Sequence, residues 1–339
     1  MRGLVFTGNR NSELREFPDP QAGPGEAVVA IRASGLCGSD FKRYRSTAEL
    51  PGDVIIGHEP CGVIAELGPG APPGLAVGDR VMVHHYAGCG VCEVCVMGFE
   101  QACPSGHTTY GTGAHGSHAD LMLVPSRTLI PLPDELTFEE GASISCGTGT
   151  AWNGLKKMSV SGGDTVAIFG QGPVGLSGTI SAKAMGARVI AVDIVPERLA
   201  LAAALGADHV IDSSRVDPVE EVRALTGGAG ASATLETSGN PIARAQVLQA
   251  LRLFGRCCYV GVGAPATIDV NVDVIRKSVT VYGGWTFSKS ELAEIARFMV
   301  EGAVPLGDLI THRFSLDEGV EAYRTFDGAT TGKCVIVLD

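Results

Sequence analysis

The chain is 339 residues long, 45% hydrophobic and 19% charged, which at roughly 150 residues per domain describes two packed globular domains and excludes a disordered state. Its 26 Lys and Arg against 37 Asp and Glu leave a formal charge of −11, so the basic surface that neutralises nucleic-acid phosphates is missing and no nucleic-acid partner is expected. The 46 glycines, spread along the chain, point to tight turns and close backbone approaches, and the 10 cysteines need a chemical explanation.

Met1 to Phe17 carries Arg2, Arg10, Glu13, Arg15 and Glu16 with no apolar stretch of the secretory type. No run reaches the roughly 18 apolar residues of a membrane span. A soluble, cytoplasmic protein without a membrane partner is the expectation. In that reducing setting cysteines serve as metal ligands, reactive thiols or small buried residues rather than as a disulfide framework.

Up to about residue 147, short β-rich pieces punctuated by Gly and Pro predict a compact β-type domain with long loops: Ala27–Ala33, Cys61–Leu67, Arg80–His84 and Ala119–Val124. Cys37 lies in Gly35-Leu36-Cys37-Gly38-Ser39-Asp40, and His58-Glu59 in Gly57-His58-Glu59-Pro60-Cys61-Gly62. A thiolate and a neutral imidazole are good zinc ligands, and Cys146, in Ile144-Ser145-Cys146-Gly147-Thr148-Gly149-Thr150, is a candidate third. Three protein ligands leave one tetrahedral position open, the mark of a catalytic zinc. Taken singly, each residue reads more readily as a small buried cysteine or a satisfied surface or core histidine.

Cys89, Cys92, Cys95 and Cys103 stand as C-x2-C-x2-C-x7-C, with Gly88, Gly90 and Gly98 beside them. Four thiolates close a tetrahedron around one zinc ion and leave no position for substrate, which makes residues 88–104 a structural lobe. An iron–sulfur centre is the rival that spacing alone leaves open, and four unpaired thiols the blander one.

From Asp164 apolar strands alternate with helices: Thr165–Gly170, Arg188–Asp193, His209–Ile211, Ala233–Glu236, Arg256–Val260 and Val279–Val281. Six strands with crossover helices make a doubly wound parallel sheet. Thr165–Phe169 leads into Gly170-Gln171-Gly172-Pro173-Val174-Gly175, then a helix to Met185: G-x-G-x-x-G in its required context of strand, turn and helix. Gly170 permits the turn, Gly172 lets a pyrophosphate approach the backbone, and Gly175 lets the helix pack on the strand. Asp193 ends the next strand, where an acid receives adenosine ribose hydroxyls, and no cation follows it directly to meet a 2′-phosphate, which favours NAD over NADP. Arg198 either reaches the same ribose or stands as a solvated helix charge. Pro196–Leu205 is a helix by its opening proline, Ala/Leu run and stop at Gly206. The last fifty residues, with a helix over Ser290–Glu301 and a strand over Cys334–Leu338, break the alternation and are expected to return to the first domain. Cys61, Cys257, Cys258 and Cys334 read as small strand residues without chemistry.

These motifs, in this order and at these spacings, resemble the zinc-dependent medium-chain alcohol and polyol dehydrogenases across nearly the full chain. The resemblance implies an α/β fold: a GroES-like catalytic domain over 1–147, an NAD-binding Rossmann domain over 148–285, and a C-terminal return over 286–339. It makes Cys37, His58 and Cys146 look like catalytic zinc ligands, with Glu59 the nearby carboxylate that contacts or exchanges onto the metal. Ser39 takes the place of the hydroxyl that bonds the substrate oxygen, and Asp40 that of the acid orienting the histidine ligand. Thr150 and Val174 fall where the nicotinamide ring packs.

Two departures stand out. Lys42 occupies the place of the histidine that often ends the proton relay, and reads best as a surface lysine near the cofactor. His85, with His84 and Tyr86 beside it, replaces an apolar pocket residue. It suggests a polar pocket suited to a polyol, sugar alcohol or hydroxy-ketone, unless it bonds only backbone. The expected chemistry is reversible oxidation of an alcohol by NAD with two zinc ions per chain, in a homodimer or homotetramer. Apolar strands near Val260–Val262 and Ile268–Val274 serve association or the core. The competing readings are a zinc-free quinone or enone reductase of the same fold and a non-catalytic NAD-binding protein.

Overall fold

The computed structural model describes all 339 residues. The first part comprises β1 (Arg2–Gly8), β2 (Asn11–Glu16), β3 (Glu26–Gly35), α1 (Phe41–Tyr44), β4 (Pro60–Leu67), β5 (Arg80–Val83), β6 (Tyr86–Ala87), α2 (Glu93–Val96), β7 (Thr108–Thr109), β8 (Leu121–Pro125) and β9 (Leu129–Pro131). A continuous helical run follows: α3 (Phe138–Ser143), a π-helical turn over Ile144–Thr148, and α4 (Gly149–Lys157). Then come β10 (Thr165–Phe169), α5 (Pro173–Ala184), β11 (Arg188–Asp193), α6 (Pro196–Ala204), β12 (His209–Asp212), α7 (Pro218–Leu225), β13 (Ala231–Glu236), α8 (Pro241–Gln249), β14 (Leu251–Tyr259) and β15 (Thr280–Gly283). The chain closes with α9 (Lys289–Glu301), β16 (Ile310–Ser315), α10 (Gly319–Asp327) and β17 (Lys333–Val337).

Strands β10 to β15 form one parallel sheet in the order β12-β11-β10-β13-β14-β15. Helices α5, α6, α7 and α8 each open on a proline, whose missing N–H is not needed in a first turn. The strand order reverses between β10 and β13, which opens a crevice at their carboxyl ends where β10 runs into Gly170.

A seven-stranded sheet runs in the order β16-β17-β3-β4-β5-β9 with β8 also on β3, while β1–β2 and β6–β7 form two separate two-stranded pairs. Strand β17 pairs antiparallel with β3, Val335 opposite Gly35, which places the last strand of the chain in this sheet. Met1–Phe17, in which no strand was expected, contains the antiparallel hairpin β1–β2; its second strand buries only Ser12 fully, so charge hides the alternation. Neither Val260–Val262 nor Ile268–Val274 is a strand. Gly261 interrupts the first stretch and Gly263 and Pro265 follow it, Val270–Ile275 is a π-helical turn, and Val262 is 88% exposed, while Ile268 and Val274 rest on the parallel sheet's core.

The largest apolar cluster lies between the two sheets and includes Met82, Ile144, Trp152, Leu176, Phe287, Leu292 and Met299. Each such side chain contributes about 1.5–3 kcal/mol on burial, so the cleft between the sheets is braced by packing rather than left as a loose linker.

Candidate active site

Cys37 follows β3 and caps a 3-10 turn over Gly38–Asp40; His58 and Glu59 directly precede β4; Cys146 sits inside the π-helical turn, a helix irregularity common at functional positions. One ligand atom from each of Cys37, His58, Glu59 and Cys146 lies within 4.8 Å of all the others. Asp40 accepts from His58 Nδ1 at 3.1 Å and from the Cys37 backbone N–H at 3.1 Å, which turns His58 Nε2 towards the sulfurs. Ser39 Oγ is 3.3 Å from Cys37 Sγ and 3.4 Å from His58 Nε2.

The Glu59 carboxylate is fully buried, bonded through Oε2 to the Nζ of buried Lys333, while its Oε1 has no partner. Lys333 Nζ also donates to the Leu36 carbonyl at 2.9 Å. Gly35 makes this contact possible, since a Cβ there would stand 2.0 Å from Glu59 Oε2.

Charge in this pocket is set by neighbours. The hydrogen bond from the Cys146 thiol, followed by His58 and Lys333, holds the Cys37 thiol well below its usual range against burial. Burial opposes charge on His58, but Asp40 and Cys37 outweigh it and raise the imidazole well above its ordinary value. Burial pushes the Glu59 carboxyl up to about 8 even beside Lys333. Two sulfurs, an imidazole nitrogen and an unpartnered carboxylate oxygen converging on one point fit a divalent zinc ion, whose charge two thiolates cancel.

The second cysteine group also converges, with the Sγ atoms of Cys89, Cys92, Cys95 and Cys103 within 4.8 Å of one another. The N–H groups of Cys89 and Cys92 point at Cys103 Sγ and Cys89 Sγ, each at 3.4 Å. Backbone N–H groups of Val91 and Cys92 lower the Cys89 thiol to about 6, favouring the thiolate a metal requires. The lobe is pinned from beneath by buried Glu100, which accepts from Gly88 N at 2.8 Å and from Arg127 Nη2 at 3.2 Å. It also grips the strap after β15: Gln101 Nε2 donates to the carbonyls of Trp285 and Phe287, each at 3.1 Å, and Lys289 N donates to Gly98 O at 2.9 Å.

At the crevice Gly170 has φ +92°, and a Cβ on Gly175 would lie 1.8 Å from the Gly170 carbonyl, so both must be glycine. A Cβ on Gly172 would meet only the Arg198 guanidinium, at 3.9 Å, which leaves the tip of the loop open to a phosphate at the N-terminus of α5. Asp193 accepts from the backbone N–H of Gln171, and from Ile194 and Val195 at 2.7 and 3.0 Å. Arg198 is half-buried rather than solvated, with the Asp193 carboxylate favouring its charge and its buried Nε unpaired. Val174 brings this loop to the metal-ligand group: its Cγ2 would be 3.9 Å from a Cβ on Gly147, the residue after Cys146. Thr150 is buried one turn further along the same helix.

A wall of rings runs outward from His58. His85 lies 5.1 Å from His58 and 4.4 Å from Tyr86 between ring centroids, and Tyr86, His107 and Trp285 meet edge to face at 5.3, 5.9 and 5.6 Å. Burial, and then His58, hold His85 well below its usual pKa; its Nδ1 donates to Ser145 O at 3.0 Å, while Nε2 has no protein partner. Lys42 is exposed and makes no ion pair. Sequence reading missed Lys333, His107 and Trp285, which carry no local motif.

The family model for the alcohol dehydrogenase GroES-like domain matches residues 23–134, and that for zinc-binding dehydrogenases matches residues 173–301. An uncharacterised zinc-type alcohol dehydrogenase-like protein of Escherichia coli strain K12, YphC, is 38% identical over 99% of this chain and 98% of its own length. Sorbitol dehydrogenase of Bacillus subtilis strain 168 is 31% identical over 95% of this chain and 92% of its own. Among solved structures, alcohol dehydrogenase TADH from Thermus sp. ATN1 superposes with a TM-score of 0.93 at 28% identity, covering all of both chains.

Proposed function

This chain belongs to the zinc-dependent medium-chain alcohol and polyol dehydrogenase family and is an oxidoreductase acting on CH–OH, and we propose that it reversibly oxidises a secondary alcohol, preferably a polyol or sugar alcohol, with NAD. The observation that carries this reading is the meeting of the two halves, with Val174 of the glycine loop packed over Gly147 beside Cys146.

In this proposal Cys37, His58 and Cys146 hold a catalytic zinc, Glu59 stands by it, and Cys89, Cys92, Cys95 and Cys103 hold a second ion. Zinc supplies a Lewis acid that acidifies the substrate hydroxyl, and NAD supplies the hydride acceptor. Ser39, exposed and beside both Cys37 and His58, takes the hydroxyl proton and releases it to water. Asp40 fixes the His58 tautomer, and Lys333 opposes the burial that raises the Glu59 carboxyl, favouring its ionised form. Gly170, Gly172 and Gly175 seat the pyrophosphate, Asp193 and Arg198 the adenosine ribose, and Thr150 and Val174 the nicotinamide edge.

The preference for a polyol rests on the wall. His85 Nε2 is an acceptor for a second hydroxyl, while Tyr86 and Trp285 offer ring faces to the C–H groups of a carbon chain and exclude water. The chain is divided into 1–147, 148–285 and 286–339, the first boundary falling inside the π-helical turn. It works in the reducing cytoplasm, where these thiolates stay free; no helix is long and apolar enough to cross a membrane. Edge strand β15, with Phe254 76%, Ile275 64% and Val281 45% exposed around it, fits association with a second copy.

The test is zinc content per chain with turnover against a panel of sugar alcohols, simple alcohols and ketones, using NAD and NADP. About two zinc ions and NAD-linked oxidation of polyols is the expected result. Zinc-free protein that reduces enones overturns it.

A further inference from the structure

We propose that His118 and Tyr323 are positioning residues for the metal site, the inner members of a buried hydrogen-bond chain that ends on Asp40 and fixes the His58 imidazole. This rests on reading Cys37, His58 and Cys146 as a zinc site and adds residues that neither motif contains.

The chain is continuous. Ser117 Oγ lies 2.6 Å from Ser34 Oγ, Ser34 Oγ lies 2.7 Å from His118 Nδ1, His118 Nε2 lies 3.0 Å from Tyr323 OH, and Tyr323 OH donates to Asp40 Oδ2 at 3.0 Å. Ser34, Ser117, His118 and Tyr323 are all fully buried. Three distant segments supply them: β3, the approach to β8, and α10 of the C-terminal return.

Its direction follows from counting hydrogens. A carboxylate only accepts, so the single hydroxyl hydrogen of Tyr323 goes to Asp40. His118 must then donate from Nε2 to the Tyr323 oxygen, which leaves Nδ1 to accept from Ser34, and Ser34 to accept from Ser117. Burial lowers His118 to about 4, so the imidazole is neutral, as this order requires. Every hydrogen bond therefore points towards Asp40, which on its other oxygen accepts from His58 Nδ1. Nδ1 of His58 thereby keeps its hydrogen, so Nε2 is the nitrogen that gives up its proton to a metal and serves as the ligand.

The backbone around His58 is shaped to admit this chain. Gly57 has φ +91°, and a Cβ there would lie 2.5 Å from His118 Nδ1. The glycine before His58 is thus required by a side chain 61 residues away in sequence. Tyr323 is further set by Phe6 and Tyr44, with ring centroids at 4.8 and 5.4 Å.

The experiment follows zinc release from purified enzyme to a chromophoric chelator. Tyr323→Phe keeps the ring and its packing but removes the donor to Asp40; His118→Phe removes the next link. Both should release one zinc equivalent about 10–100-fold faster and leave the other unchanged. His118→Gln, whose amide nitrogen reaches the place of Nε2, should release it at close to the wild-type rate. The cobalt-substituted Tyr323→Phe enzyme should show displaced ligand-field bands, which a loss of fold stability alone would not produce. Wild-type release rates in both Phe variants, or acceleration of both zinc equivalents alike with no rescue by His118→Gln, would overturn the proposal. Wild-type protein that holds zinc only in the four-cysteine lobe overturns the metal-site reading, and this proposal with it.

Discussion

Replacing Lys333 by Met removes the cation from beneath the metal site, and the structure sets the size of the effect. Lys333 is 2% exposed and Glu59 fully buried, and Nζ serves both Glu59 Oε2 and the Leu36 carbonyl. Glu59 Oε1 already lacks a protein partner, so above the raised carboxyl value of about 8 the variant leaves a buried carboxylate with no donor at all. Breaking a buried pair from one side costs about 3–5 kcal/mol. At roughly 1.4 °C per kcal/mol for a chain of 339 residues, the unfolding transition should fall by at least about 4 °C. The double variant Glu59→Gln with Lys333→Met removes both charges and should recover more than half of that loss, because the penalty belongs to the uncompensated charge. Calorimetry at one protein concentration and above pH 8, where the Glu59 carboxyl is ionised in the wild type, with zinc content measured for each variant, reads both shifts. A Lys333→Met enzyme melting within 2 °C of wild type, or a double variant no more stable than the single, would refute the argument.

Cys37→Ser should lower turnover on the order of 10³-fold, the scale of several kcal/mol of Lewis-acid stabilisation, while calorimetric NAD binding is retained. Asp193→Ala should weaken NAD about 10–100-fold in the same titration, the equivalent of one or two charged hydrogen bonds. Asp164→Asn tests a pair at the base of the parallel sheet. Burial works to raise the Asp164 carboxyl, but hydrogen bonds from Ser232 and Ser161, with Arg256, outweigh it and hold it below its ordinary value of 3.8. A depressed folded-state pKa stabilises above the unfolded value. The wild-type advantage, about 1.5–3 kcal/mol in denaturant titrations near pH 7, should therefore shrink as pH falls below 3.8 and through the folded value.

What the sequence displays is chemistry confined to a short stretch. Gly170, Gly172 and Gly175 announce a phosphate turn, and four cysteines within fifteen residues announce a lobe, because the spacing itself encodes the geometry. Asp40 and Ser39 come with Cys37 for the same reason. Lys333 was not legible: its partner Glu59 is 274 residues away, and nothing local distinguishes a buried lysine from a surface one. His118 and Tyr323 are hidden likewise, 205 residues apart. The valines of 260–274 mislead in the other direction, since apolar residues at a surface look like strand until the glycines and proline between them are weighed.

The backbone passes between the two sheets at two places, and only one of them carries a metal-ligand candidate. The first crossing is the helical run from α3 to α4, with Cys146 in its π-helical turn, while Cys37 and His58 stay with the seven-stranded sheet. A rotation hinged there would tear the ligand triangle apart. The second crossing, Trp285 to Ser288, holds no ligand and already has Thr286 at φ +53°. The two sheets are therefore tied at both crossings, by the helical run at the first and by the Gln101 hydrogen bonds to the Trp285 and Phe287 carbonyls at the second, so a change that loosens either one alone leaves the other as a tether.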